Sequence, residues 1–290
     1  MKHAYLILAH NEFDILRMLI ARLDDPRNDI YVHIDKKVPV MPDLHATKAG
    51  LTVLSERIDV RWGAPSMIQA ELQLFETALK EGPYQYYHLL SGVDLPLKNQ
   101  DYIHAYFDKF DGDEFIGYTW TEMPPEFRRK MQCWHLFPEQ FKSKNLFIKA
   151  MRAGFLRLQE ALGLYRNQAI DFKKGSQWVS ITEGLVRYII EHKAWIRKTF
   201  RNTFCCDELV VQTLCWMSPF RKSIHSLTSD SDGCLRMIGW RERPGCKEWV
   251  LEDWTASDFE ALKASSALFA RKFNSRDEAF LQQVLTLSEP

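Results

Sequence analysis

Acidic and cationic side chains stand in this sequence where they could work on a charged ligand. Asp35 closes the run His-Ile-Asp-Lys-Lys (33–37), and Asp94 lies in Ser-Gly-Val-Asp-Leu-Pro (91–96), directly after an apolar stretch. An acid at a strand end can hydrogen-bond a ribose or a base. His10 and Asn11 follow the first apolar run and fall at the same kind of edge. Ser91-Gly92 can end a strand in a close turn and Pro96 prevents a long continuation, which holds Asp94 over the edge. Asp94 can equally be a turn or cap aspartate. His33 and Asp35 share one face of an extended strand, but one His and one Asp are too few ligands for a metal, and no third stands nearby. Asp207 and Glu208 form an acid pair at the start of an apolar helical pattern. Both can serve as caps at the positive end of the helix dipole, or one caps while the other faces a cleft as a general base. Arg271, Lys272 and Arg276 cluster late in the chain, as do Arg241 and Arg243. They read either as solvated surface charge or as a clamp on a diphosphate, replacing a metal ion at a leaving group.

These residues need elements to carry them. Residues 4–10, Ala-Tyr-Leu-Ile-Leu-Ala-His, form a continuous apolar run, the pattern of a strand covered on both faces. A helical spacing follows at Phe13, Leu16, Leu19, Ile20 and Leu23. Further strands are expected at 29–35, 51–56, 84–92, 113–120 and 175–182, and helices at 66–82, 101–110, 183–200 and 205–217, the last with Asp207 and Glu208 in its first turn. Strand–helix alternation of this kind implies an α/β fold with a mainly parallel central sheet, right-handed crossovers and flanking helices. Residues 141–158, rich in basic and aromatic side chains, read as an amphipathic helix packed on the domain, with a membrane surface as the alternative. No repeat or linker divides the chain, so residues 1–290 are expected to be one domain.

The chain has 38 Lys plus Arg against 38 Asp plus Glu, a balance that argues against nucleic acid as partner while leaving room for a local basic site. Its 46% hydrophobic content supports a real core. The apolar run at residues 4–9 is too short for a signal peptide or a membrane span. The six cysteines form no CxxC pair, and free thiols are expected.

Taken together, several stretches resemble the core-2/I-branching β-1,6-N-acetylglucosaminyltransferases and their relatives, the peptide O-xylosyltransferases. They are AYLILAHNE, IYVHIDKK, VRWGAPSMIQAEL, YYHLLSGVDLPLKN, GSQWVSIT, CCDELVVQTL and LFARKF, spanning about residues 4–273 in the family's order. The resemblance implies a GT-A-type fold, an inverting reaction and a UDP-sugar donor, with no essential metal and no other cofactor. A single Asp94 where Asp-x-Asp might be expected fits that. Ala9 and His10 would line the uridine site, Asp35 would contact the uridine, and Asp94 would sit by the donor sugar. Glu208 would be the catalytic base. Lys272 would hold the diphosphate with an arginine, best matched by Arg243, with Arg241 or Arg236 able to serve. Cys206 departs from the proline common before this acid pair. Glu126, Arg128 and Arg129 would be acceptor contacts. Trp178 is the aromatic best placed to stack on a sugar, and a core role suits it equally. The expectation is a cytoplasmic bacterial enzyme moving N-acetylglucosamine to a glycan or lipid-linked saccharide acceptor, with at most peripheral contact at the inner membrane. Alternatives are a UDP-xylose donor, a hydrolase in which water replaces the acceptor, or a non-catalytic module binding sugar nucleotides or glycans.

Overall fold

The computed structural model describes residues 1–119, 125–141, 143–242 and 249–289, without the side chains of Pro125, Glu126 and Arg128. The main sheet contains β1 (His3–Ala9), β2 (Asn28–Ile34), β3 (Gly50–Val53), β4 (Tyr86–Ser91) and β6 (Ser180–Thr182), in the order β3-β2-β1-β4-β6. The first four strands are parallel, and β6 runs antiparallel to β4. A second sheet joins β5 (Asp94–Pro96), β10 (Phe269–Arg271) and β7 (Arg236–Ile238), and β8 (Trp240–Arg241) pairs with β9 (Val250–Leu251). The helices are α1 (Phe13–Leu23), α2 (Pro65–Glu81), α3 (Gln100–Lys109), α4 (Pro125–Gln132), α5 (Leu146–Ala161), α6 (Glu183–Glu191), α7 (Lys193–Phe200), α8 (Val210–Met217), α9 (Asp230–Cys234), α10 (Phe259–Ala264) and α11 (Glu278–Thr286). The expected mainly parallel sheet with flanking helices is therefore present.

Strand periodicity builds a core on each face of the main sheet. Along β1, Ala4, Leu6 and Leu8 enter the cluster beneath α2, α6 and α8, whereas Tyr5, Ile7 and Ala9 enter the one beneath α1, α3 and α11. Both faces are covered, which is why these strands read as unbroken apolar runs. The end of β4 meets β1 closely. Gly92 N–H donates to Leu8 O at 2.8 Å, and a Cβ on Gly92 would stand 2.7 Å from that of Ala9. The close turn expected at Ser91-Gly92 rests on that contact, and it delivers the chain into β5.

Three expectations about elements need correction. Residues 113–119 form no strand beyond isolated bridges at Glu114 and Phe115, because their backbone crosses between β6 and residue 224 without running along either. Residues 183–200 are two helices broken at His192, whose ring bonds back to Tyr188 O at 2.8 Å. Asp207 and Glu208 precede α8, which starts at Val210 without a side-chain cap. Neither acid caps that helix, so capping leaves both unexplained.

Candidate active site

The four parallel strands of the main sheet end on one edge. Asp35 N–H donates to Ala9 O at 2.9 Å, which ties the end of β2 to that of β1. Asp35 is buried, and its carboxylate accepts from Lys37 N–H at 2.8 Å and pairs with Lys37 Nζ at 2.6 Å. Lys37 also bonds Asp59 at 2.9 Å. Any nucleotide contact by Asp35 therefore shares this carboxylate with Lys37. His10 is exposed beside this pair. Partial desolvation lowers its pKa; Asp35 opposes that, while the charges of Lys37 and Lys272 add to it. The charges of Asp35, Lys37 and Lys272 thus all reach His10, although Lys272 lies far along the chain. Lys272 itself stands 3.5 Å from Asp253. His33 is no ligand in waiting: its Nε2 accepts from Ile58 N–H at 3.0 Å.

A second group surrounds Asp94, which is fully buried. Both carboxylate oxygens are taken, one by Ser91 N–H at 2.9 Å and the other by Arg271 Nε at 3.1 Å. Burial raises its pKa, while Arg271 and the Ser91 amide pull it back. Asp94 therefore serves as a turn aspartate and as the counter-ion of Arg271, and it has no surface of its own to offer a sugar. Arg271 carries that influence outward. Its guanidinium lies over the ring of Trp178 at 4.1 Å from the centroid. Trp178 is itself largely buried, so its core role and its place beside the site coexist.

Glu208 lies within electrostatic reach of Arg271. It pairs with Lys174 Nζ at 3.1 Å, and its side chain is 36% exposed. The neighbouring carboxyls differ. Asp207 has a sealed Oδ1 without a partner, and burial, then repulsion from Glu208, pushes its pKa up to about 7. Glu71 is buried, accepts from Gln177 at 2.6 Å, and is driven well above the usual range by burial and by Asp207. Of these three acids, Glu208 alone combines an ion-paired partner with an open face. Its loop is fixed from behind. Gly175 N–H donates to Glu208 O at 3.0 Å, and a Cβ at Gly175 would fall 1.7 Å from Gly117 O. The adjacent Ser176 N–H donates to Asp230 at 2.7 Å.

The other candidates divide. Arg236 is fully buried, bonding Ser180 Oγ at 2.8 Å and the Cys234 and Val179 carbonyls, so it is a structural tie and cannot reach a ligand. Arg241 pairs with Asp258 at 2.6 Å. Arg243 and the side chains of Glu126 and Arg128 lie outside the described residues. Arg129 is committed to Glu160, at 2.9 Å. Lys174 is a residue that sequence reasoning missed, although it directly precedes the Gly-Ser-Gln-Trp stretch; Arg271 was one of three cations with nothing to single it out. A cavity of about 350 Å³ lies at the opposite strand ends, lined in part by Gln85, Glu114, Thr182 and Glu183. Its acids are already bonded, Glu114 to Thr182 and Glu183 to Tyr84 N–H and Tyr87, so it is unlike a reaction site.

Among solved structures, S. aureus TarS aligns with 47% of this chain and 25% of its own, at 13% identity and a TM-score of 0.27. The chain thus spans about a quarter of TarS. Apo mouse xyloside xylosyltransferase 1 aligns with 75% of this chain and 82% of its own, at 9% identity and a TM-score of 0.32. Likenesses this distant carry no weight for activity. No curated protein sequence matches the chain significantly. The model of the Core-2/I-Branching enzyme family, by contrast, matches residues 3–263. With nearly the whole length matched, the chain belongs to the Core-2/I-Branching enzyme family and is a glycosyltransferase.

Proposed function

We propose that the chain is an inverting glycosyltransferase that moves N-acetylglucosamine from a UDP-sugar to a hydroxyl of a glycan acceptor, with Glu208 as base and without an essential metal. The observation that carries this reading is the contrast among three neighbouring carboxyls. Glu208 is open and ion-paired to Lys174, whereas Asp207 and Glu71 are sealed and disfavoured as carboxylates. In the reaction, the acceptor oxygen attacks the anomeric carbon as its proton passes to Glu208. The bond from that carbon to the diphosphate oxygen breaks, and UDP departs with the electron pair. Lys174 holds the Glu208 carboxylate in one orientation. Lys272, whose charge reaches His10, meets the charge developing on the diphosphate, the role a metal would otherwise take. Arg271, fixed by Asp94 and stacked on Trp178, orients the sugar end.

Calorimetric titration with UDP and a panel of UDP-sugars, with chelator present, tests the donor half. Tight metal-free binding, strongest for UDP-N-acetylglucosamine, is expected. A requirement for added divalent metal would refute the cationic clamp, and preference for UDP-xylose would replace the donor. Glu208→Gln is expected to lose nearly all transfer while UDP affinity stays at the parent value. Normal turnover in that variant would remove Glu208 as base.

A further inference from the structure

Trp62 stands on a segment that links the strand edge to the loop of Glu208, with 53% of its surface exposed. At one end of that segment, Asp59 pairs with Lys37 at 2.9 Å, and Lys37 is the partner of Asp35. At the other, Gly63 O accepts from Cys205 N–H at 2.8 Å. Three virtual bonds of about 3.8 Å put the Cα of Glu208 within about 11 Å of that of Cys205. The turn in which Leu209 N–H donates to Cys206 O at 3.1 Å shortens that path. The indole is firmly held. Its ring meets Phe204 at 5.7 Å in a T-shaped contact and Phe141 at 6.1 Å between centroids, and those two phenyl rings stack at 3.6 Å. Gly63 sits at φ 71°, and a Cβ there would fall 2.5 Å from Phe204 Cε2, so the turn that presents Trp62 requires glycine.

A glycosyltransferase must seat its acceptor beside the base. Of the residues expected to do so, Arg129 is committed to Glu160 at 2.9 Å. Trp178 is largely buried and lies under Arg271, so it has no open ring to give. Trp62 has one. A pyranose carries C–H groups on a ring face and hydroxyls around its rim, and an open indole among polar groups matches both. Such groups are at hand: Arg61 pairs with Asp59 at 2.5 Å, and Ser66 Oγ donates to Glu139 at 3.1 Å. A continuous wall joins the indole to the base. Lys130 Nζ lies 6.0 Å from the Phe204 centroid and 4.2 Å from that of Phe127, and Lys174 Nζ, the partner of Glu208, lies 5.5 Å from the Phe127 ring. We propose that Trp62 is the acceptor platform: a pyranose ring of the glycan stacks on the indole and presents a hydroxyl to Glu208. The presentation rests on the reading of Glu208 given above; the stacking does not.

The test takes methyl glycosides of galactose, N-acetylgalactosamine, glucose and mannose as probes and reads their binding to the full chain, with UDP present, by saturation-transfer NMR. Binding of at least one is expected. Its dissociation constant should rise about 5- to 150-fold in Trp62→Ala, the range for one ring stacked on an aromatic side chain, and less in Trp62→Phe, which keeps a ring against Phe204. Calorimetric UDP affinity should stay at the parent value in both variants, which certifies their fold and separates the platform from the donor. In transfer, the KM for that glycoside should rise by more than kcat falls. The proposal is overturned if no glycoside binds, if Trp62→Ala binds them as the parent does, or if both variants lose UDP together with the glycoside. Glycoside binding that depends on Trp62 in a chain without UDP affinity would refute the donor reading and leave the platform standing.

Discussion

Replacing Asp94 by Ala strips Arg271 of its counter-ion inside the protein. The pair is largely buried, with the Asp94 side chain at 0% and that of Arg271 at 13% exposure, so solvent compensates little. Breaking one partner of a buried pair costs about 3–5 kcal/mol. At roughly 2–4 °C per kcal/mol for a chain of this class, the melting temperature should fall by about 6–20 °C. The loss has two parts, since the Ser91 amide also loses its acceptor. Asp94→Ala/Arg271→Met removes both charges and should recover part of the stability. On the proposed role of Arg271 at the sugar end of the donor, it should not recover transfer. Urea unfolding followed by tryptophan fluorescence measures the first effect, and kcat/KM the second. If Asp94→Ala unfolds within about 0.5 kcal/mol of the parent, the size of an ordinary surface change, the buried pair does not hold this edge together and the reasoning fails.

Lys272→Ala should weaken UDP binding by about 10- to 150-fold, the range for a hydrogen bond to a charged group, with Lys272→Arg retaining part of it; unchanged calorimetric affinity would remove Lys272 from the diphosphate. Asp207→Asn should spare transfer and raise the melting temperature at pH 8. The folded pKa of about 7 lies above the unfolded one, so ionising Asp207 costs stability as pH rises towards 7, and the amide escapes that cost. Abolished transfer in a folded Asp207→Asn would make it, and not Glu208, the base. His3, His88 and His104 are packed ring to ring, with His3 and His104 stacked at 4.0 Å and His88 Nε2 3.0 Å from His3 Nδ1. Burial lowers all three, reinforced by neighbouring histidines at His3 and His88 and by Arg27 at His104, bringing His3 to about 3 and His104 to about 4. Their neutral forms are native, so stability holds above about 6.5 and falls below it, by up to ~1.4 kcal/mol per ring per pH unit. Denaturant midpoints that stay level between pH 7 and pH 5 would contradict this.

What was legible in the sequence was whatever repeats locally. β1, β2 and β4 are unbroken apolar runs because helices cover both sheet faces, and a run of that kind needs no partner to be recognised. The edge residues His10, Asp35 and Asp94 followed from where those runs stop. Asp94 was legible as a turn aspartate, but not as a counter-ion. The sequence places it at a strand end, but only the pairing with Arg271, 177 residues away, decides that it faces inward. The sheet of β5, β10 and β7 is invisible for the same reason, as three-residue strands have no period to read. The acid pair looked like helix caps because α8 has a strong apolar pattern. Cys205, at φ 53°, turns the backbone first, and the helix begins only at Val210. Helix α5 leaves Phe147, Met151 and Leu158 exposed in a helical rhythm, which in sequence is indistinguishable from a buried face.

The distance between Asp94 and Arg271 along the chain also sets an order of events during synthesis. A ribosome that has released β4 and β5 leaves Asp94 with the Ser91 amide but no counter-ion, and Trp178 later emerges with no guanidinium above it. Strand β10 must arrive before either is complete. Non-local pairings of this length form late, after local elements have gathered. The edge that carries the proposed site is therefore among the last parts of the molecule to be completed, and a chain stalled before residue 269 lacks the Arg271 that pairs with Asp94.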